Sequence, residues 1–171
     1  FEKLVVTAKH HDGFCIWDSA HTDYDVAASG YQDANGNSDI LAEISAACTK
    51  YDMDMGLYLS PWDIHEPSYG AVDGDAYNYN EFYNNQLIEI LSQNDKYGND
   101  GHFTEVWMDG AKGSGAYAQD YDFERWFNTI QSYEGIANGF DADCMLFGAE
   151  AYTTVRWIGN ESGLSGEQTW S

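Results

Sequence analysis

The sequence predicts an α/β protein, a run of βα units from a (β/α)8-type, TIM-like barrel of which this chain supplies only the central ones. Three observations predict it. Short apolar runs alternate with segments of helical periodicity, which makes consecutive βαβ units and a parallel sheet with right-handed crossovers. The apolar runs end in polar or ionisable residues, as barrel strands do where they deliver side chains to a shared site. The segments that follow them are long and rich in Gly, Asn, Asp, Ser and Tyr, the composition of binding loops gathered on one side of such a sheet. A complete doubly wound sheet is the alternative, but it would concentrate polar groups at one switch point.

The first strand is Leu4-Val5-Val6-Thr7-Ala8, running into Lys9-His10-His11-Asp12. A loop from Asp18 to Ser38 leads to a helix over 39–51, with Ser38 or Asp39 as N-cap and Ile40, Leu41, Ile44, Ala47 and Cys48 on one face. Met55-Gly56-Leu57-Tyr58-Leu59 is the second strand, ending in Ser60-Pro61-Trp62-Asp63-Ile64-His65. After a loop from Glu66 to Tyr79, a helix over 80–93 places Tyr83, Leu87, Ile90 and Leu91 on one face. The third strand opens at Glu105 and runs through Val106-Trp107-Met108 to Asp109 and Gly110, which sets a carboxylate at a strand end. Lys112 to Asp120 forms a loop, and the helix over 122–133 turns Phe123, Trp126, Phe127 and Ile130 to the core. Cys144-Met145-Leu146-Phe147-Gly148-Ala149 is the fourth strand, and it runs into Glu150.

The chain has 171 residues, opening on Phe1 and stopping at Thr169-Trp170-Ser171. An eight-stranded barrel usually takes about 250 residues, so these elements make roughly half of one. We therefore expect residues 1–171 to be part of a single longer domain. Such a half would expose two unpaired strand edges. Its oligomeric state is not written in the sequence.

Net charge is −22, from 29 acidic and 7 basic residues. That field repels nucleic acid and anionic membrane surfaces, and no apolar stretch is long enough to insert into a bilayer. No glycine-rich phosphate cradle is present, so a neutral substrate suits the chain better than a phosphorylated one. Aromatic residues make up 16% of the chain, with 6 Trp and 13 Tyr. They serve either as a core of large side chains or as flat rings for sugar faces, with polar neighbours taking the hydroxyls.

Cys15, Cys48 and Cys144 fit neither a disulfide framework nor a zinc pattern and are expected in the core. No Gly-x-Ser-x-Gly elbow occurs, which sets acyl transfer aside. His10, His11, Asp12, Asp63 and His65 are metal-ligand types, and a metal-dependent hydrolase using Asp63 and His65 stays open as a rival. However, adjacent His10 and His11 would point to opposite faces of a strand unless the strand had already ended. The reading is no metal and no cofactor. Asp33 to Asp39 looks faintly like a calcium loop, but its glycine and terminal acid are misplaced, and a turn leading to a helix N-cap is preferred. Paired carboxylates remain: Asp109, Glu150 and Glu161 fall at strand ends or just beyond, while Glu105 lies at the far end and is expected on the surface. A retaining glycosidase needs two carboxyl groups about 5–5.5 Å apart, one a nucleophile and one an acid.

At these residues the chain resembles the α-L-fucosidases of glycoside hydrolase family 29. The matching stretches are LVVTAKHHDGFCIW (4–17), GLYLSPWD (56–63), EVWMDGA (105–111) and RWIGNESG (156–163). The resemblance implies a barrel catalytic domain, of which 1–171 is a part. It implies hydrolysis of terminal α-L-fucose with retention and without a metal. It makes Asp109 the nucleophile, and His10 and His11 partners of the fucose hydroxyls, with His65 beside them. Tyr58, Trp62, Trp107 and Arg156 become pocket residues, the two tryptophans walling the C6 methyl. The last stretch is similar to the version in enzymes preferring α-1,3/1,4-fucosides and makes Glu161 the acid/base; barrel grammar favours Glu150 instead, and the two stay open. The implied partner is a fucosylated oligosaccharide or glycoconjugate, and the implied setting is extracellular or the cell surface. A non-catalytic carbohydrate-binding relative is the rival of another class.

Overall fold

The structure is a computed structural model that describes residues 1–70, 78–109, 118–135, 144–148, 153–156, 158 and 162–164, with only the backbone of Arg156. The strands are β1 (Lys3–Lys9), β2 (Asp54–Leu59), β3 (Glu105–Met108), β4 (Met145–Gly148) and β5 (Val155–Arg156), and the helices are α1 (Ile40–Tyr51), α2 (Tyr79–Leu91) and α3 (Phe123–Glu134). All neighbouring strands pair in parallel, in the order β1-β2-β3-β4-β5. Spatial order equal to chain order is barrel winding; a doubly wound sheet reverses direction at its switch point, and the described strands show no reversal.

The sheet alternates between two faces because strand side chains do. Val6, Ala8, Met55, Leu57, Leu59, Val106, Met108 and Leu146 are buried toward the helices. They pack with Leu41 and Cys48 of α1, Phe82, Tyr83, Leu87 and Ile90 of α2, and Trp126 and Ile130 of α3. The opposite face carries Val5, Thr7, Tyr58, Trp107 and Phe147. Its rows are set by the register Thr7↔Tyr58, Tyr58↔Trp107 and Trp107↔Phe147. In barrel terms this is the inner face.

The helices start where a capping side chain stands. Asp39, Asn78 and Asp122 are N-caps whose side chains accept from Ala42, Glu81 and Arg125 amides, satisfying donors the helix cannot. The buried stripe of α1 is Leu41, Ser45 and Cys48; Ala47 is exposed, so the face is rotated from the expected one. Ser45 is tolerated there because its hydroxyl bonds back to the Leu41 carbonyl at 2.8 Å. Asp33 folds its own turn by accepting from the Asn35 and Asn37 amides at 2.7 and 2.8 Å, as preferred over a calcium loop. These backbone bonds hold its exposed carboxyl below the usual range.

Two features depart from expectation. The fifth strand, Val155–Arg156, is too short to show an apolar pattern, and it follows β4 after only six residues. Glu105 is half-buried on the inner face, with Lys3 Nζ 2.7 Å from its carboxylate, not free on the surface. Gly56 packs closely beside it: a Cβ there would stand 3.0 Å from Val5 and 3.3 Å from Glu105.

At the opposite end, the β1–β2 register slips by one residue between Thr7 and Lys9. The slip turns Lys9 toward the helices, where it is fully buried. Its ammonium donates to Asp63 Oδ2 at 3.1 Å and Gln86 Oε1 at 2.8 Å, and lies 5.2–5.8 Å from the ring centroids of Tyr79, Phe82 and Tyr83. Next along the chain, Gly13 turns at φ +82°, and a Cβ there would sit on Asp63 Oδ1. Gly13→Ala is therefore expected to cost about 2–5 kcal/mol, the left-handed penalty plus a clash in a packed site. Urea unfolding of the full-length protein measures it, and a loss under 1 kcal/mol would show the turn to be soft.

Candidate active site

The site forms where β1, β2 and β3 end. β1 stops at Lys9, so His10 and His11 lie beyond the strand and are released from its alternation. Their rings come to 4.1 Å of each other, and His10 stacks over Tyr58 at 5.8 Å. Asp109 follows directly on β3. Tyr58 donates its phenolic proton to Asp109 Oδ2 at 2.6 Å, and His11 Nε2 stands 3.6 Å from the same oxygen, an ion-pair distance rather than a hydrogen bond. Burial, then the bond to Asp109 and its charge, push the Tyr58 phenol well above its usual pKa, so it remains a neutral donor.

Aromatic rings build the walls. Trp62 packs 4.9 Å from the His11 ring. Trp107 meets Tyr58 edge-on at 5.1 Å and Phe147 at 5.0 Å. The loop after β2 is fastened from α2: Tyr83 donates to the Leu59 carbonyl at 2.7 Å and Tyr79 to that of Pro61 at 2.5 Å. Ile64 N–H closes onto the His11 carbonyl at 2.9 Å. The loop after β1 is held by Glu89 of α2, which accepts from the Trp17 indole at 2.9 Å, the Ser19 hydroxyl at 3.0 Å and the Ala20 amide at 2.6 Å.

Thus His10, His11, Tyr58, Trp62, Trp107 and Asp109 are brought together. His65 is placed differently, exposed and stacked on Tyr24 with ring centroids 3.9 Å apart. Asp63 and His65 do not converge as ligands. Asp63 is committed to Lys9 on Oδ2 and to the His65 and Glu66 amides on Oδ1, at 3.0 and 2.9 Å. Among the described residues no group of three or more His, Cys, Asp or Glu is placed to hold a metal. The backbone of Arg156 pairs with Gly148; Glu150 and Glu161 lie outside the described residues. The cysteines are buried, and burial pushes the Cys15 and Cys144 thiols up to about 12, which makes them inert packing groups.

Two residues buried against this site were not singled out from the sequence, Lys9 and Ser60. The available signal was their place directly after apolar strands.

Comparison with known proteins decides the family. The α-L-fucosidase family profile matches residues 3–154. The chain belongs to the α-L-fucosidase family. It is 43% identical to alpha-L-fucosidase 1 of Arabidopsis thaliana over 171 residues, all of this chain and 30% of that protein. A putative alpha-L-fucosidase 1 of Oryza sativa subsp. japonica is 42% identical, again over the whole chain and 29% of the relative. Among solved structures, a Ruminococcus gnavus GH29 fucosidase in complex with fucose superposes with a TM-score of 0.87 at 73% identity, covering 100% of this chain and 35% of that one. The chain therefore spans about a third of the length of its relatives and corresponds to part of the family's (β/α)8 catalytic barrel. Among the described residues no helix is long and apolar enough to cross a membrane.

Proposed function

We propose that the protein containing this chain is a retaining α-L-fucosidase that removes terminal α-linked L-fucose, of the α-1,3/1,4 type, from fucosylated oligosaccharides or glycoconjugates outside the cell or at its surface. The observation that carries the reading is Asp109 at the end of β3, its Oδ2 held by the Tyr58 hydroxyl at 2.6 Å with His11 alongside, in a chain of this family.

The reaction is a double displacement. An Asp109 oxygen attacks the anomeric carbon as the bond to the glycosidic oxygen breaks, and Glu161 passes its proton to that oxygen. Glu161, now a carboxylate, takes a proton from water; the water oxygen attacks the same carbon, and the ester to Asp109 breaks. Tyr58 keeps the carboxylate aimed. His10, His11 and Arg156 take the sugar hydroxyls. Trp62 and Trp107 present apolar surface to the C6 methyl, which a hydroxymethyl sugar would meet with a clash or lost hydration. His65, stacked on Tyr24, belongs to the rim. Residues 1–171 are read as one portion of the catalytic domain.

A 2-deoxy-2-fluoro-fucosyl inactivator with a good leaving group tests this on the full-length protein. We expect one label per molecule, found on the peptide carrying Asp109. A folded protein that takes no label and turns over no fucoside would favour a non-catalytic sugar-binding relative, and a label on another carboxylate would overturn the assignment of Asp109.

A further inference from the structure

Beyond Trp62, the loop after β2 meets the loop after β1 through a second pair of rings. The Ile64 amide bonds the His11 carbonyl at 2.9 Å, which holds this loop against the segment carrying the histidine pair. His65 comes next. A Cβ on Gly13 would stand 3.0 Å from the His65 Cβ, so His65 lies against the residue two places beyond His11. Three residues of chain join it to Trp62, a span of at most about 11 Å when fully extended, and Trp62 itself packs on the His11 ring. From the other loop, Tyr24 stacks on His65 with ring centroids 3.9 Å apart and planes 14° apart. The stack therefore stands at the mouth of the pocket.

Both rings are firmly mounted. Tyr24 meets Phe14 edge-on at 5.2 Å, its amide donates to Thr22 Oγ1 at 3.1 Å, and its carbonyl accepts from the Cys15 amide at 3.1 Å. Asp25, next in the chain, is buried and accepts from the Ser19 and Ala28 amides at 3.1 and 2.7 Å. The His65 amide donates to Asp63 Oδ1, and Asp63 is anchored by Lys9. Yet the pair presents ring surface to solvent: Tyr24 is 36% exposed and His65 is exposed as well. A fixed aromatic surface of this kind loses little freedom when a ligand lands on it. Exposed Asp12 adjoins Gly13, and exposed Asp23 adjoins Tyr24. Their carboxylates accept hydrogen bonds. Ring faces for C–H groups, with acceptors for hydroxyls alongside, suit a neutral sugar, whereas a nucleobase on its phosphate chain would be repelled by the net charge of −22.

We infer that Tyr24 and His65 form the platform for the sugar unit that carries the fucose. This rests on the fucosidase reading above and extends it from the fucose to its leaving group. With fucose in the pocket, the glycosidic oxygen points outward, and the next pyranose crosses the rim that the two loops build. It lays a C–H face on the stacked rings and turns hydroxyls to Asp12 and Asp23. The platform binds the leaving sugar alike in the bound substrate and in the transition state, so it acts on KM rather than on kcat. A leaving group with no ring gains nothing from it.

The test compares two substrates on the full-length protein: α-1,3-fucosyl-N-acetylglucosamine, which has a sugar leaving group, and α-fucosyl fluoride, which has none. Tyr24→Ala is expected to lower kcat/KM for the disaccharide about tenfold, through KM, and to leave the fluoride unchanged. Tyr24→Phe keeps the ring and should behave as wild type on both. His65→Ala keeps the backbone amide that Asp63 holds, and should show the same selective loss even if Tyr24→Ala folds poorly. An equal loss on both substrates would make the stack a prop of the loops and overturn the inference, and so would an undiminished kcat/KM for the disaccharide. Calorimetry in an Asp109→Ala background reads the same contrast as binding, disaccharide against free fucose. If the wild type turns over neither substrate while the disaccharide still binds through Tyr24, the fucosidase reading falls and the platform stands. If both substrates are turned over and Tyr24 is indifferent to the leaving group, the platform alone falls.

Discussion

In the full-length protein, Asp109→Ala is expected to lower kcat for aryl fucosides by about 10⁴-fold, with fold and thermal stability nearly unchanged. The size follows from the role. Without the carboxylate no covalent intermediate forms, and what remains is the binding and polarisation supplied by the pocket. Asp109 stands at a strand end, held by the Tyr58 hydroxyl and flanked by His11. Azide adds a stereochemical reading. It enters the space left by the carboxylate and attacks from the same face, so rescue of Asp109→Ala yields the β-fucosyl azide, one inversion. Rescue of an acid/base variant instead proceeds after the Asp109 ester has formed, and yields the α-azide by two. The same pair of products, taken on Glu161→Ala and Glu150→Ala, identifies which glutamate is the acid. If Asp109→Ala retained a tenth of wild-type activity, Asp109 would not be the nucleophile.

The strands and helices were legible because their apolar runs match what is buried. Met55 to Leu59 on β2 are buried on both faces, as a continuous apolar run of a parallel sheet should be, and Trp126 and Ile130 recur at helical spacing on α3. The position of Asp109 was legible for the same reason, since an apolar run closed by an acid and glycine leaves the acid at the strand end. The misses have a common cause: they depend on contacts between distant segments. β5 is two residues long and exists only because β4 offers an edge. Glu105 reads as a surface acid until the sheet brings Lys3 against it from β1, two strands away in the order β1-β2-β3. His10 and His11 read as poor neighbours on a strand, and become co-facing because the strand ends one residue earlier. Ser60 meets His11 only across the packed ends of β1 and β2.

The largest effect on stability is expected from Asp63→Ala, at about 3–5 kcal/mol, the range for removing one partner of a buried ion pair. Lys9 has no exposed surface, and its ammonium cannot turn to water when Asp63 is lost. Gln86 would remain as a neutral acceptor and the rings of Tyr79, Phe82 and Tyr83 as weak ones, which does not offset a buried charge. The same carboxylate also caps the His65 and Glu66 amides, so the turn that carries Trp62 toward His11 loosens at once. Replacing both partners together, as Lys9→Met with Asp63→Leu, removes the uncompensated charge and should recover part of the loss in urea unfolding. What the double variant should not recover is activity, because apolar side chains cannot bond the two amides that shape the loop. This separation gives the pair its test. A double variant as active as wild type would mean that the ion pair serves folding alone, whereas a stable but slow one would mean that Lys9 and Asp63 set the distance between the β1 histidines and the β2 loop.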